Sequence, residues 1–167
     1  PPTAGVVAAA IYQAELDPPG GGERTVRVQG RFVIRHLSAE RVRLPLPLAP
    51  VAMERAVLDD QPAVLSVSDD GASLEVVSAA PGLHLLDVTF RTPASQVTEQ
   101  SGRFMLRLRP VASGRLSFVL PGGAETEVRI NGATDAYSLR EVNGARVMEA
   151  PIDRGGDVTI AWQGGEP

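Results

Sequence analysis

Between Val26 and His36 the chain alternates with a period of two. Val26, Val28, Gly30, Phe32, Ile34 and His36 share one parity; Arg27, Gln29, Arg31, Val33 and Arg35 share the other. Successive side chains of a strand point to opposite faces, so this is a strand with one buried face and one arginine-bearing wet face. The pattern returns with Gly102, Phe104, Leu106 and Leu108 against Arg103, Met105, Arg107 and Arg109. Helical spacing is nearly absent. Further strands are predicted near 6–16, 41–46, 53–59, 63–68, 73–78, 83–90, 115–120, 125–131, 136–141, 145–150 and 157–162. Turn signals separate them, among them Asp70-Gly71, Pro81-Gly82, Asn131-Gly132 and Asn143-Gly144. Asn-Gly and Asp-Gly adopt positive φ cheaply, as two-residue hairpins require. Many short strands with a turn every 8–12 residues or so predict an all-β sandwich or barrel.

The chain also resembles itself. Gly30-Arg31-Phe32-Val33-Ile34-Arg35 aligns with Gly102-Arg103-Phe104-Met105-Leu106-Arg107 at a shift of 72. A two-residue insertion pairs Arg41, Leu46 and Pro47 with Arg115, Leu120 and Pro121. The turn Asp59-Asp60 then meets Asn131-Gly132, and Phe90 falls on Trp162. About a dozen identities over roughly 60 positions exceed the four or so that ordinary residue usage supplies. Strand phase and turn positions agree as well. The expectation is two tandem related antiparallel β-sandwich units, immunoglobulin-like or jelly-roll-like, packed together through an internal duplication of about 72 residues. The predicted divisions are an N-terminal linker and extra strand (1–23), a first repeat (24–90), a linker (91–101), a second repeat (102–163) and a C-terminal linker (164–167). The close alternative is one sandwich with internal pseudo-twofold symmetry.

Composition excludes more functions than it suggests. The 167 residues contain no cysteine, which removes disulfides, thiolate metal sites and cysteine nucleophiles. With only His36 and His84, a three-histidine metal site cannot form within the chain. The net charge of −4 argues against a nucleic-acid partner bound through general electrostatics. No run reaches the roughly 20 apolar residues that span a bilayer, so no direct membrane insertion by this segment is expected. All 16 basic residues are arginine, a bias read as that of a GC-rich genome. No Gly-x-Gly-x-x-Gly or Gly-Lys-Ser phosphate loop is present, so no cofactor is expected.

Candidate reactive residues each have a plain structural explanation. His84 shares the parity of Leu86, Val88 and Phe90, which predicts a buried histidine with one hydrogen-bond partner; Asp87 points to the opposite face and cannot orient it as a base. His36 ends a strand and is expected to be half exposed. No Gly-x-Ser-x-Gly elbow surrounds any serine. Asp59-Asp60 and Asp69-Asp70 invite a calcium reading, but both sit at expected hairpin turns, where aspartate is favoured on backbone grounds. Trp162 alternates with Val158 and Ile160 and is expected in the core. Arg27, Arg31 and Arg35, echoed by Arg103, Arg107 and Arg109, form the candidate binding face; an ordinary solvated sheet face is the competing explanation.

The expected function is therefore a non-catalytic structural or protein-interaction module. Its expected setting is extracytoplasmic, periplasmic or at the cell surface, as a segment of a larger bacterial envelope or membrane protein. The expected partner is another protein or the remainder of the parent chain. The alternative is a module that binds a glycan or anionic polymer through the arginine face. A carboxylate-based hydrolase is the second alternative.

Overall fold

The structure, a computed structural model, describes residues 4–164, so the expected linker residues 1–3 and 165–167 lie outside the described part. Its strands are β1 (Gly5–Leu16), β2 (Thr25–His36), β3 (Val42–Pro45), β4 (Met53–Leu58), β5 (Gln61–Pro62), β6 (Leu65–Val67), β7 (Leu74–Ser78), β8 (Gly82–Ser95), β9 (Ser101–Leu108), β10 (Ser113–Val119), β11 (Ala124–Ile130), β12 (Ala133–Asp135), β13 (Ser138–Val142), β14 (Ala145–Pro151) and β15 (Gly156–Gly164). The molecule is all-β. Each strand predicted from alternation overlaps an observed one, and the two very short strands β5 and β12 are additional. β8 continues through residues 91–95, which had been expected in a linker. Among the described residues no helix is long and apolar enough to cross a membrane.

Twelve strands form a long sheet that curls into a half-barrel, and β3, β7 and β6 form a small second sheet. The order along the long sheet is β12-β11-β15-β9-β8-β2-β1-β10-β14-β13. Most neighbours are antiparallel, but β1 runs parallel to β10, with Ile11 opposite Arg115. β8 is the branch point. One edge pairs with β2 along its length; the other is shared, β4 taking residues near 86–90 and β9 taking Ala94 and Ser95. Because β8 continues from one partner to the next, the sheet bends there.

A single core fills the fold. Buried Ala10, Tyr12, Val28, Phe32, Leu86, Phe90, Leu116 and Phe118 cluster continuously with Leu44 and Val76 of the small sheet and with Phe104, Ile160 and Trp162. Phe118 of β10 meets Trp162 of β15 at 5.2 Å between centroids and Phe104 of β9 at 5.0 Å. Strands of both halves of the chain thus share one sheet and one core, which differs from two units with separate interiors. The connection after β3 ties the layers together. Tyr12 donates its hydroxyl to the Pro47 carbonyl at 2.8 Å, Leu46 N–H donates to Leu74, and Ala49 N–H donates to Arg107. Burial pushes the Tyr12 phenol far above its usual pKa.

The turns follow their chemistry. Asp59 and Asp60 both have positive φ between Leu58 and Gln61, as do Asn131 and Gly132 between Ile130 and Ala133. These are two-residue hairpin loops of the type that needs left-handed residues at both positions. Asp70 holds its own turn by accepting from Ser68 Oγ at 2.6 Å and from Ala72 N–H at 2.9 Å.

Candidate functional site

The six arginines singled out by alternation all sit on outward positions, but they do not act together. Arg27 pairs with Glu15 at 3.4 Å, Arg31 with Asp87 at 2.8 Å, and Arg107 with Asp157 at 3.9 Å. Among the described residues, Arg35, Arg103 and Arg109 have no carboxylate within ion-pair distance; Arg109 contributes at longer range to holding the Asp70 carboxyl below its usual pKa, after hydrogen bonds from Ser68 and Ala72. Arg27, Arg31 and Arg35 project from β2 in the long sheet, whereas Arg103 and Arg107 project from β9 beyond the bend at β8. Exposed ion pairs of this kind contribute little stability, typically about 0–1 kcal/mol. Beside Arg35 lie Val6 and Leu83, directly opposite it in register and exposed at 45% and 68%.

The histidines correct two expectations. His36 is buried, at 2% exposure, rather than half exposed: Nδ1 meets Ser78 Oγ at 2.8 Å and Nε2 meets the Glu40 carbonyl at 2.7 Å. His84 does have an orienting carboxylate, supplied by Asp59 across the β4–β8 pairing rather than by Asp87. His84 Nδ1 contacts Asp59 Oδ2, and Nε2 lies 2.6 Å from the Ala80 carbonyl. Both ring nitrogens face oxygen acceptors, which only the imidazolium satisfies by donating twice. The Asp59 contact accordingly raises the His84 pKa. The Leu85 N–H and the His84 contact hold the Asp59 carboxyl below its usual range. With both nitrogens occupied, this cluster braces the β4–β5 turn and leaves no ring nitrogen for a substrate.

A polar depression of about 430 Å³ lies on the outward face of the long sheet. Its floor is Ile11 and Gln13 of β1, Gln29 and Arg31 of β2, and Asp87 and Thr89 of β8; Arg55 of β4 and Asp60 of the β4–β5 turn stand at one side, Arg115 of β10 at the other. The register explains the assembly. Ile11 lies opposite both Arg31 and Arg115, Arg31 opposite Asp87, and Arg55 opposite Thr89. A bulge between Met53 and Arg55 re-aims the Arg55 side of the strand. Of the predicted arginines only Arg31 lies here. Arg55 and Arg115 carried no ladder pattern in the sequence, and strand order alone places them near Arg31. Among the described residues, no three His, Asp or Glu side chains group as a metal-binding set.

No protein-family model matches the chain. No curated protein matches it either. Solved structures do. A candidate nutrient-binding protein from Legionella pneumophila superposes with a TM-score of 0.57 at 9% identity, over 96% of this chain and 67% of that one. The M1 zinc metallopeptidase of Deinococcus radiodurans superposes at 0.55 with 12% identity, over 95% of this chain and 42% of that one. Leukotriene A4 hydrolase from Saccharomyces cerevisiae gives 0.55 and 12%, over 95% of this chain and 29% of that one. The likeness is one of fold. The chain spans less than half the length of the metallopeptidase and the leukotriene A4 hydrolase it matches.

Proposed function

We propose that this chain is a non-catalytic structural and protein-interaction domain of a larger bacterial envelope protein. The observation that carries this reading is the coverage: nearly all of the chain is matched, yet in the metallopeptidase and the leukotriene A4 hydrolase the same fold is a minor part of a longer polypeptide. Nothing about their activity follows for this chain. Its sequence lacks a His-Glu-x-x-His zinc motif. The exposed apolar residues Val6 and Leu83 beside Arg35 form the contact surface for the rest of the parent protein.

The test uses the absence of native cysteine. Leu83→Cys gives one thiol, and its labelling rate is compared in this chain and in the longest natural polypeptide that contains it, with the labelled site read by mass spectrometry. Labelling at least tenfold slower in the longer polypeptide is expected; equal rates refute the contact. The extracytoplasmic setting belongs to the same proposal. An alkaline phosphatase fusion to the parent protein should be active, and a fusion active only in cytoplasmic reporter format overturns the placement.

The duplication belongs to this proposal too, as two interleaved copies sharing one sandwich. Its support is the pairing pattern. β8 lies between β2 and β4, and β4 turns into β5; β15 lies between β9 and β11, and β11 turns into β12. β7 lies between β3 and β6, as β14 lies between β10 and β13. Leu58 opposite Leu86 and Ile130 opposite Val158 differ by 72 at both members of the pair. Superposition of residues 25–95 on 101–164 in an experimental structure is the check, and a failure of equivalent strands to overlay refutes it.

A further inference from the structure

We propose that the depression between Arg55 and Arg115 is a binding site for a carboxylated oligosaccharide. The inference stands apart from the scaffold reading and holds whichever parent protein carries the domain.

Charge is the first argument. The chain as a whole carries −4, but three arginines (Arg31, Arg55 and Arg115) meet only two carboxylates (Asp60 and Asp87) around this depression, leaving it locally positive. Asp87 is already committed to Arg31 at 2.8 Å, which holds that guanidinium in place. Among the described residues neither Arg55 nor Arg115 has a carboxylate within 4 Å. Two guanidinium groups without partners on opposite sides of one depression suit an anion that is a carboxylate, which the planar fork grips bidentately.

The lining between them supplies the second argument. Gln13, Gln29 and Thr89 each both donate and accept hydrogen bonds, and Asp60 accepts, so the floor can satisfy hydroxyl groups in either sense. An extended acidic peptide fits less well, because the depression lies on the face of paired strands, where no free backbone edge is offered to it. Size is the third argument. The volume of about 430 Å³ lies within the roughly 300–1,000 Å³ of small-ligand sites. Arg55 and Arg115 stem from strands four steps apart in the sheet, roughly 19 Å at about 4.8 Å per step. A short oligomer lying across the strands can present a carboxylate to each.

Calorimetric titration with tri-galacturonate at low salt tests the site, with maltotriose as the neutral analogue of equal length and tetraglutamate as the acidic peptide. Tri-galacturonate should bind at one site per chain and weaken as sodium chloride is raised. Arg55→Gln and Arg115→Gln should each weaken it about tenfold or more, while Arg103→Gln, beyond the bend, should leave it unchanged. Both arginines are exposed, and melting curves of the variants confirm that they fold. No binding of tri-galacturonate at millimolar concentration overturns the proposal, as does binding that survives Arg55→Gln and Arg115→Gln together. Maltotriose or tetraglutamate binding equally well would also overturn it, the former removing the role of the carboxylates and the latter that of the sugar.

Discussion

Gly102→Ala should destabilise the protein through a direct clash with Trp162. A Cβ at this position would stand 2.3 Å from Trp162 Cζ2, 2.7 Å from Cη2 and 2.9 Å from Cε2. Carbon atoms in contact sit near 3.5–4.0 Å, so the indole or the backbone must move by about 1 Å or more. The indole is 4% exposed and packs against Phe104 and Phe118, so moving it disturbs a cluster of three rings. Overpacking a core costs about 1–3 kcal/mol, and a rigid bicyclic ring belongs at the upper end of that range. For a chain of this size about 3 kcal/mol lowers Tm by roughly 6–12 °C. The same change at Gly30 meets only Val88 Cγ2 at 2.9 Å, the end of a smaller side chain, and should cost about half as much. Urea denaturation followed by fluorescence is the assay, since Trp162 is the sole tryptophan and reports its own environment. Trp162→Phe, followed by circular dichroism, should relieve the clash, so the double variant is more stable than the sum of the two changes by about 1 kcal/mol or more. A Gly102→Ala protein within about 0.5 kcal/mol of the parent, or strict additivity with Trp162→Phe, would refute the packing argument.

Two other expectations follow from polar contacts between strands. Tyr12→Phe removes the hydroxyl that donates to the Pro47 carbonyl, which still accepts from the Arg109 N–H, so urea denaturation should show a loss of about 0.5–1.5 kcal/mol; an unchanged midpoint would show that the cross-layer bond adds nothing. The His84 pKa is raised on folding, so its contribution is full below its ordinary value near 6.5 and is lost as pH rises through the raised value. The Asp59 pKa is lowered, so its contribution is full above its ordinary value near 3.9 and is lost as pH falls through the lowered value. Urea midpoints measured from about pH 4 to 9 should therefore decline on the alkaline side in the parent and less so in His84→Gln; parallel profiles would refute the ion pair.

The strands were legible because each declares itself locally. Alternation at Val26–His36 and Gly102–Arg109 needs only neighbouring residues to be read, and the Asn-Gly and Asp-Gly pairs mark turns through backbone preference alone. The buried parity was legible for the same reason, and Trp162 lies in the core as its alternation with Val158 and Ile160 implied. His36 and His84 were misjudged because their partners are distant: Ser78 lies 42 positions from His36, and Asp59 lies 25 positions from His84. The arginine ladder was visible as a pattern along a strand. Its division by Glu15, Asp87 and Asp157 was not, since each counter-charge arrives from another strand.

Local sequence therefore decided that this chain is β throughout, where its strands and hairpin turns lie, and which parity of each strand is apolar, because these depend on φ/ψ preferences and on desolvation along a single strand. Only the tertiary structure decided that β1 joins β10 in parallel, that β8 divides its edge between β4 and β9, and that Arg31, Arg55 and Arg115 surround one depression. Strand order is set by many weak non-local pairings competing for the same edges, and no stretch of the chain carries that outcome by itself.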